Sequence, residues 1–216
     1  MNIFEVHNNE FKVVSLDGHR ISIRKIELKD SYPDRKVIVP GKSLQEVSKI
    51  FIWRKLKMKC VFSLPEIISY LNLTIRLLFP VLLRESILRL TRCFPVIMRQ
   101  KFVINKKEML SCIDRATLLV KEGDKKPIVF RITDENMEIS INSQLGSMKE
   151  DIDIQKEGKD ILIGFNPKFL IDALRVIDDE EVTIYMVNPK APCYIRDEEE
   201  KYVYLILPVN FNASAN

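Results

Sequence analysis

Apolar and polar positions alternate with period two along most of the first 40 residues, and again from residue 102 onward. That alternation predicts half-buried strands over Asn2–Val6, Glu10–Ser15 and Arg20–Leu28, with a short apolar strand at Val37–Val39. Between the second and third runs stands Leu16-Asp17-Gly18-His19-Arg20-Ile21. An Asp-Gly pair between alternating segments predicts a β-hairpin turn. By themselves these residues describe a plain hairpin whose polar side chains face water. Pro40-Gly41 then leads into Ser43-Leu44-Gln45-Glu46. This reads as a capping box, with Ser43 as N-cap and Glu46 reaching back, opening a helix to about Ile50 that carries Leu44, Val47 and Ile50 on one face.

Beyond residue 100 the pattern predicts strands at Phe102–Ile104, Ile128–Ile132, Met137–Ile141, Ser147–Ile154, Asp160–Ile163, Val182–Val187, Cys193–Ile195 and Tyr202–Leu207. Asn105, with Glu108 three positions on, caps a helix to about Lys121 that buries Met109, Ile113, Ala116 and Val120. Asn166-Pro167 is an N-cap followed by proline at the first helical position, opening a helix that buries Phe169, Leu170, Ala173 and Val176. Strands with two short helices make a compact α+β domain, and residues 1–50 look like part of a second copy.

Residues 51–100 follow neither period. The window has no Gly, Asp or Ala, although the chain has six glycines, and it holds the single tryptophan, Trp53. Charge separates along the same boundaries. Residues 51–100 carry 9 Lys/Arg against 2 Asp/Glu, while 101–216 carry 16 against 21. The basicity of a chain with net charge +4 therefore lies in its middle. Glu66, Arg76 and Arg84, with Pro65, Pro80 and Pro95, interrupt every apolar run there that approaches a membrane span. No signal sequence opens the chain. Cys60, Cys93, Cys112 and Cys193 form no C-x-x-C pair, and there are only two histidines, which argues against zinc and for reduced, buried thiols in a cytoplasmic protein.

The run Leu16-Asp17-Gly18-His19-Arg20-Ile21-Ser22-Ile23-Arg24-Lys25 resembles the middle domain of the bacterial DNA polymerase III β subunit, the sliding clamp. Val37-Ile38-Val39-Pro40-Gly41-Lys42 is similar to the same family. From Phe102 to Phe211 the likeness is continuous. It rests on Val103-Ile104-Asn105-Lys106-Lys107-Glu108, Gly164-Phe165-Asn166-Pro167-Lys168 and Tyr204-Leu205-Ile206-Leu207-Pro208-Val209 in combination. The resemblance implies a DNA-clamp fold, with antiparallel sheets outside and two helices per domain on the DNA-facing side. It divides the chain into the C-terminal half of a middle domain at 1–50, an aberrant segment at 51–100, a C-terminal clamp domain at 101–211 and a tail at 212–216, expected to be disordered. Read from the third base of each codon, Arg76–Ser86 with suitable synonymous codons encode I-V-V-S-R-L-I-E-G-E, similar to the family's S-R-L-x-E-G-E segment. We therefore expect residues 51–100 to be an out-of-frame, poorly folded stretch between two compensating frameshifts.

The resemblance implies a non-catalytic processivity factor without cofactor or metal. It would encircle duplex DNA through diffuse positive charge, on Lys42, Lys49, Lys106, Lys107, Lys168 and Arg175. It would dock the polymerase III alpha subunit, the clamp loader and other proteins bearing a clamp-binding motif, in the bacterial cytoplasm at the nucleoid. The family's peptide groove would be lined by Leu16, Gly18, His19, Arg20 and Ile21 on one wall, and by Arg115, Ala116, Ala191, Pro192, Leu207, Pro208 and Val209 on the other. Small and apolar residues there suit peptide side chains, and Gly18 allows close backbone approach. Leu16 and Asn210 depart from common family residues, which bears on partner preference. The intact family forms a homodimeric ring. A chain lacking the first domain is expected not to close one, and so to act as a defective fragment. The alternative is a basic nucleic-acid-binding or membrane-associated protein using residues 51–100. Enzyme readings find no Gly-rich phosphate loop and no H-E-x-x-H, and the acidic runs Asp178–Glu181 and Asp197–Glu200 read as solvated turns.

Overall fold

The structure is a computed structural model that describes residues 1–54, 61–63, 68–72, 76–80, 98–121 and 126–211. Cys60, Cys93 and the tail 212–216 lie outside these residues. The chain divides into two units, Met1–Asp17 with Ile23–Arg92, and Gly18–Ser22 with Cys93–Asn216.

The first unit contains β1 (Asn2–Leu16), most of β2 (Arg20–Val39), α1 (Gly41–Arg54), and β3 (Val61–Ser63), β4 (Ile68–Asn72) and β5 (Arg76–Pro80). β1 doubles back on itself. The Met1 ammonium donates to the Leu16 carbonyl at 2.9 Å, and the Leu16 N–H donates to the Met1 carbonyl at 3.0 Å. The reversal falls at Asn8, whose φ of 52° is a left-handed value that asparagine tolerates. The strands expected at Asn2–Val6 and Glu10–Ser15 are thus the two arms of one doubled strand. Ile3, Phe4, Val14, Ile23, Val37 and Val39 are buried, and Phe4 meets Phe11 edge-on at 5.5 Å. β3, β4 and β5 form a three-stranded antiparallel sheet within the window whose pattern predicts no regular element, with Val61 opposite Asn72 and Ile68 opposite Pro80.

α1 begins two residues before the expected cap. The Leu44 N–H bonds the Pro40 carbonyl at 3.3 Å, so Ser43 lies inside the first turn and is not its N-cap. Leu44 packs on the Phe4–Val37–Val39 cluster, as the stripe requires. The side chains of Val47 and Ile50 fall outside the described residues.

Glu5 ties the arms of this unit together, with Lys36 at 2.5 Å and Lys12 at 3.3 Å. Burial pushes its carboxyl up, but the hydrogen bonds and charges of Lys36 and Lys12 outweigh burial and leave it below its ordinary value. A carboxyl lowered in the folded state stabilises above its unfolded value of 4.5, and that stability is lost as pH falls through the folded one. Glu5→Gln should therefore cost about 0.5–1 kcal/mol at pH 7. Thermal melts of variant and wild type should converge toward pH 3.

The second unit contains β6 (Gln100–Asn105), α2 (Lys106–Thr117), β7 (Ile128–Thr133), β8 (Asn136–Ser143), β9 (Gly146–Glu157), β10 (Ile161–Phe165), α3 (Pro167–Leu174), β11 (Glu181–Met186), β12 (Cys193–Arg196) and β13 (Tyr202–Ile206). The strands run antiparallel in the order β13-β12-β11-β6-β9-β8-β7-β10, with the first residues of β2 added beside β13. Alternate side chains of these strands face α2 and α3 and close one apolar core around Phe102, Phe130, Phe165, Met109, Ile113 and Leu174. The α+β architecture expected from the pattern beyond residue 100 is the one observed.

Both asparagine caps are present. Asn105 Oδ1 accepts from the N–H groups of Lys107 and Glu108, and Asn166 Oδ1 accepts from that of Lys168. α2 ends at Thr117, short of Lys121, and Val120 packs on the core from the turn that follows. α3 ends at Leu174. The helical spacing that would bury Val176 lapses there, and Val176 is 53% exposed. Cys112 and Cys193 are buried, reduced thiols, each pushed up to about 12 by burial. The acidic turns are used structurally. Asp179 accepts from the Tyr202 hydroxyl at 2.8 Å, and Asp197 accepts from the Tyr202 N–H at 3.2 Å. Among the described residues no group of three or more His, Cys, Asp or Glu side chains is arranged to hold a metal ion. No described helix is long and apolar enough to cross a membrane.

Candidate peptide-docking site

Gly18–Ser22 belongs to the second unit because of what its backbone meets. The Leu207 N–H donates to the His19 carbonyl at 2.9 Å, just past the end of β13. Gly18 has a φ of +90°, which favours glycine, and a Cβ there would meet nothing within 4 Å. The glycine is required by the turn, and the space above it is open.

α3 supplies the opposing surface. Pro167, Leu170, Ile171, Ala173 and Leu174 face the core, which leaves Phe169 at its edge and Asp172 on the exposed side. Phe169 and Asp172 stand three residues apart and so share a helix face. Arg20 bridges to both. Its Nη1 donates to Asp172 Oδ2 at 2.7 Å, and its Cζ lies 4.5 Å from the centroid of the Phe169 ring. The His19 ring sits 6.0 Å from the same centroid at 38°. The Asn166 cap fixes the first turn of α3 and hence the direction of Phe169. Asn166→Ala should cost about 1 kcal/mol in a urea titration.

The far wall is the strip 207–211. Leu207 is 36% exposed, and Pro208 and Val209 are half-buried. The strip is pinned to β10, where the Val209 N–H donates to the Gly164 carbonyl at 2.8 Å. A Cβ on Gly164 would lie 2.6 Å from Phe211 Cδ1 and 3.1 Å from the Val209 carbonyl oxygen, so glycine is what lets the strip lie down there. Ala191 and Pro192 are half-buried and lead into β12 from a turn in which Asn188 Oδ1 accepts from the N–H groups of Lys190 and Ala191.

His19 and Leu207 are thus brought together through their backbones, and His19 and Arg20 meet Phe169, with Asp172 bonded to Arg20. Leu16 ends β1 in the first unit, and Ile21 is half-buried. Two expected lining residues need correction. Ala116 lies on the core-facing side of α2 and is fully buried, so it offers a peptide no surface. Arg115 is committed to Glu150 on β9 through two parallel bonds, Nε to Oε1 at 2.9 Å and Nη2 to Oε2. Those bonds hold the Glu150 carboxyl below its usual range. Phe169 and Asp172 are the residues that sequence reasoning missed. The apolar stripe read from period 3.6 places Phe169 in the core; a stripe centred on Leu170, Ile171 and Leu174 would have put it at the rim.

The charged candidates for DNA also sort themselves. Lys106 turns its ammonium inward to the Ile177 carbonyl at 2.7 Å, where it ties α2 to the end of α3. Arg175 pairs with Asp114 at 3.1 Å, and Lys49 with Glu46 at 2.7 Å. Lys42, Lys107 and Lys168 are exposed. Lys107 and Lys168 occupy equivalent positions, two residues after their asparagine caps.

Comparisons with known proteins bear on the family and the fold. The family model for the DNA polymerase III beta subunit, C-terminal domain, matches residues 91–210, and that for its central domain matches residues 2–72. The beta sliding clamp of Staphylococcus aureus strain COL is 31% identical over 213 residues, which covers 94% of this chain. The chain spans about half the length of such curated relatives, 54% in this case. A crystal structure described as a DNA polymerase III beta subunit from Eubacterium rectale superposes with a TM-score of 0.90 at 55% identity, covering 98% of this chain and 57% of that one. The DNA polymerase sliding clamp of Bacillus subtilis gives 0.86 at 32% identity, covering 98% and 56%. The two family matches enter the 51–100 window from both sides and favour the clamp reading over a basic nucleic-acid- or membrane-binding insertion. By its sequence and by its fold, the chain belongs to the DNA polymerase III beta subunit family, the sliding clamps.

Proposed function

We propose that this chain serves DNA replication without bond chemistry, as part of a sliding clamp that docks short peptides of its partners. The partners would be the polymerase III alpha subunit, the clamp loader and other proteins bearing the clamp-binding motif, in the bacterial cytoplasm at the nucleoid. The observation that carries the reading is the bond from Leu207 to His19. It seats the Gly18–Ser22 turn beside the start of an apolar strip, with the Phe169 ring near His19 and Arg20, and apolar surface with few polar groups is what peptide side chains dock against. Duplex DNA would be held without sequence readout by the exposed cations Lys42, Lys107 and Lys168, helped by Lys49 and Arg175. Lys106 is excluded from that set by its inward bond.

The test is fluorescence anisotropy of a labelled alpha-subunit peptide carrying the clamp-binding motif, titrated with the 216-residue chain. Saturable binding, reversed by unlabelled peptide, is the expected result. No anisotropy change up to about 100 μM protein would overturn the proposal, since even weak peptide sites bind in the micromolar range.

A further inference from the structure

The face of β10-β7-β8-β9 that turns away from the helices carries a trough. Ile128, Phe130 and Ile132 of β7 and Ile161, Ile163 and Phe165 of β10 belong to the core, so positions 129, 131, 162 and 164 lie on the opposite face. The register aligns these outward positions in rows across the strands. One row runs Leu162, Arg131, Glu138, and the next runs Gly164, Val129, Ser140, Lys149. Long side chains fill the first row. The second has none until Lys149, which leaves a trough of about 280 Å³. Phe211 lines its β10 end, standing over Gly164.

The trough is apolar at one end and charged at the other. Leu162, Val129 and Phe211 line the apolar end. At the other, Glu138 alone answers two cations, with Arg131 Nε 3.5 Å from Oε1 and Lys149 Nζ 2.7 Å from Oε2. The Glu138 side chain is 21% exposed, against 57% for Arg131 and 66% for Lys149. Asp151, next to Glu138 across the β8–β9 pairing, forms no ion pair with either cation among the described residues. The charged lining of the trough therefore has one positive charge in excess, on side chains open to an incoming anion.

We propose that this trough is a second docking surface, for an extended segment of a partner protein that carries a leucine-like side chain and, three residues on, a carboxylate. The spacing follows from the sheet. The apolar end over β10 and β7 and the cations over β8 and β9 are two strand spacings apart, roughly 10 Å, which three residues of extended chain cover. The strip 207–211 shows the apolar half of that fit within the chain itself, since its backbone is tied to β10 by the Val209–Gly164 bond while Phe211 lines the trough. Nucleic acid is a poorer match, because a run of phosphates would meet Glu138 between the cations and an aliphatic lining of Leu162 and Val129. The proposal does not depend on docking at Gly18–Ser22.

The test is a two-dimensional amide NMR titration of the ¹⁵N-labelled 216-residue chain with the peptide acetyl-Gly-Leu-Ser-Ser-Glu-Gly-amide. Shifts at Val129, Ser140, Lys149 and Leu162 should saturate with a Kd of about 1 mM. Alanine for the peptide leucine, or glutamine for its glutamate, should each weaken binding by about threefold or more, with the protein unaltered. Lys149 is exposed, so K149E should fold, and it should reverse the charge preference, taking a peptide with lysine in place of glutamate at least about threefold better than the original. No shift at these amides up to about 10 mM peptide would overturn the inference, and so would a K149E chain that keeps the wild-type preference. Displacement of the peptide by oligothymidylate would overturn it in favour of nucleic acid. Broadening of the same amides with protein concentration alone would overturn it in favour of a second copy of the chain.

Discussion

Phe165→Ala should destabilise the second unit by about 3–5 kcal/mol and lower its melting temperature by more than about 10 °C. Phe165 is fully buried at the end of β10, 5.7 Å from the Phe130 ring, and it precedes the Asn166 cap of α3. Its removal opens a cavity between the sheet and the helices that neither layer can close without shifting. The loss should reach the docking site too, because Gly164, which pins the 207–211 strip, is its neighbour in β10. Phe165→Leu keeps most of the volume and should cost under about 1.5 kcal/mol. Urea unfolding followed by circular dichroism measures both. A cost below about 1.5 kcal/mol for Phe165→Ala would mean that the core around β10 is not closed.

Leu207→Asp should leave folding nearly untouched and lower affinity for an alpha-subunit peptide by about tenfold to hundredfold. The side chain is 36% exposed, while the backbone N–H bonded to His19 survives any substitution but proline. Stability should therefore move by no more than about 0.5 kcal/mol. Affinity should fall because an apolar wall is replaced by a carboxylate that an incoming leucine or phenylalanine would have to desolvate. Leu207→Met should stay within about threefold of wild type. Paired melts and anisotropy titrations separate the two effects. Wild-type affinity in Leu207→Asp would remove Leu207 from the site.

Much of the fold is legible in the chain because its signals are local. Asn105 and Asn166 announce α2 and α3 through side-chain bonds to the next turn, and the structure contains both bonds. Strands with one buried face alternate cleanly, as in β8 and β11. The misreadings have equally physical causes. Ser43 has the composition of a cap, but the Pro40 carbonyl starts α1 earlier. Val176 follows the helical period past the point where the helix stops. Arg115 and Ala116 enter the expected groove by resemblance, and the structure commits one to Glu150 and the other to the core. Phe169 and Asp172 escape notice because their role depends on Arg20, which lies far away in the chain and meets them only through the pairing of β2 with β13. The out-of-frame origin proposed for residues 51–100 has a direct test in the coding DNA, which must supply the third bases that the I-V-V-S-R-L-I-E-G-E reading requires.

The most direct measurement of the central claim is a two-dimensional amide NMR spectrum of the ¹⁵N-labelled 216-residue chain, titrated with unlabelled alpha-subunit peptide. The account predicts shifts concentrated at Gly18–Ser22, at Phe169–Asp172, and at Leu207, Val209 and their neighbours. Shifts confined to Lys107, Arg115 and Glu150, with the Gly18–Ser22 and Leu207 amides unmoved, would contradict it.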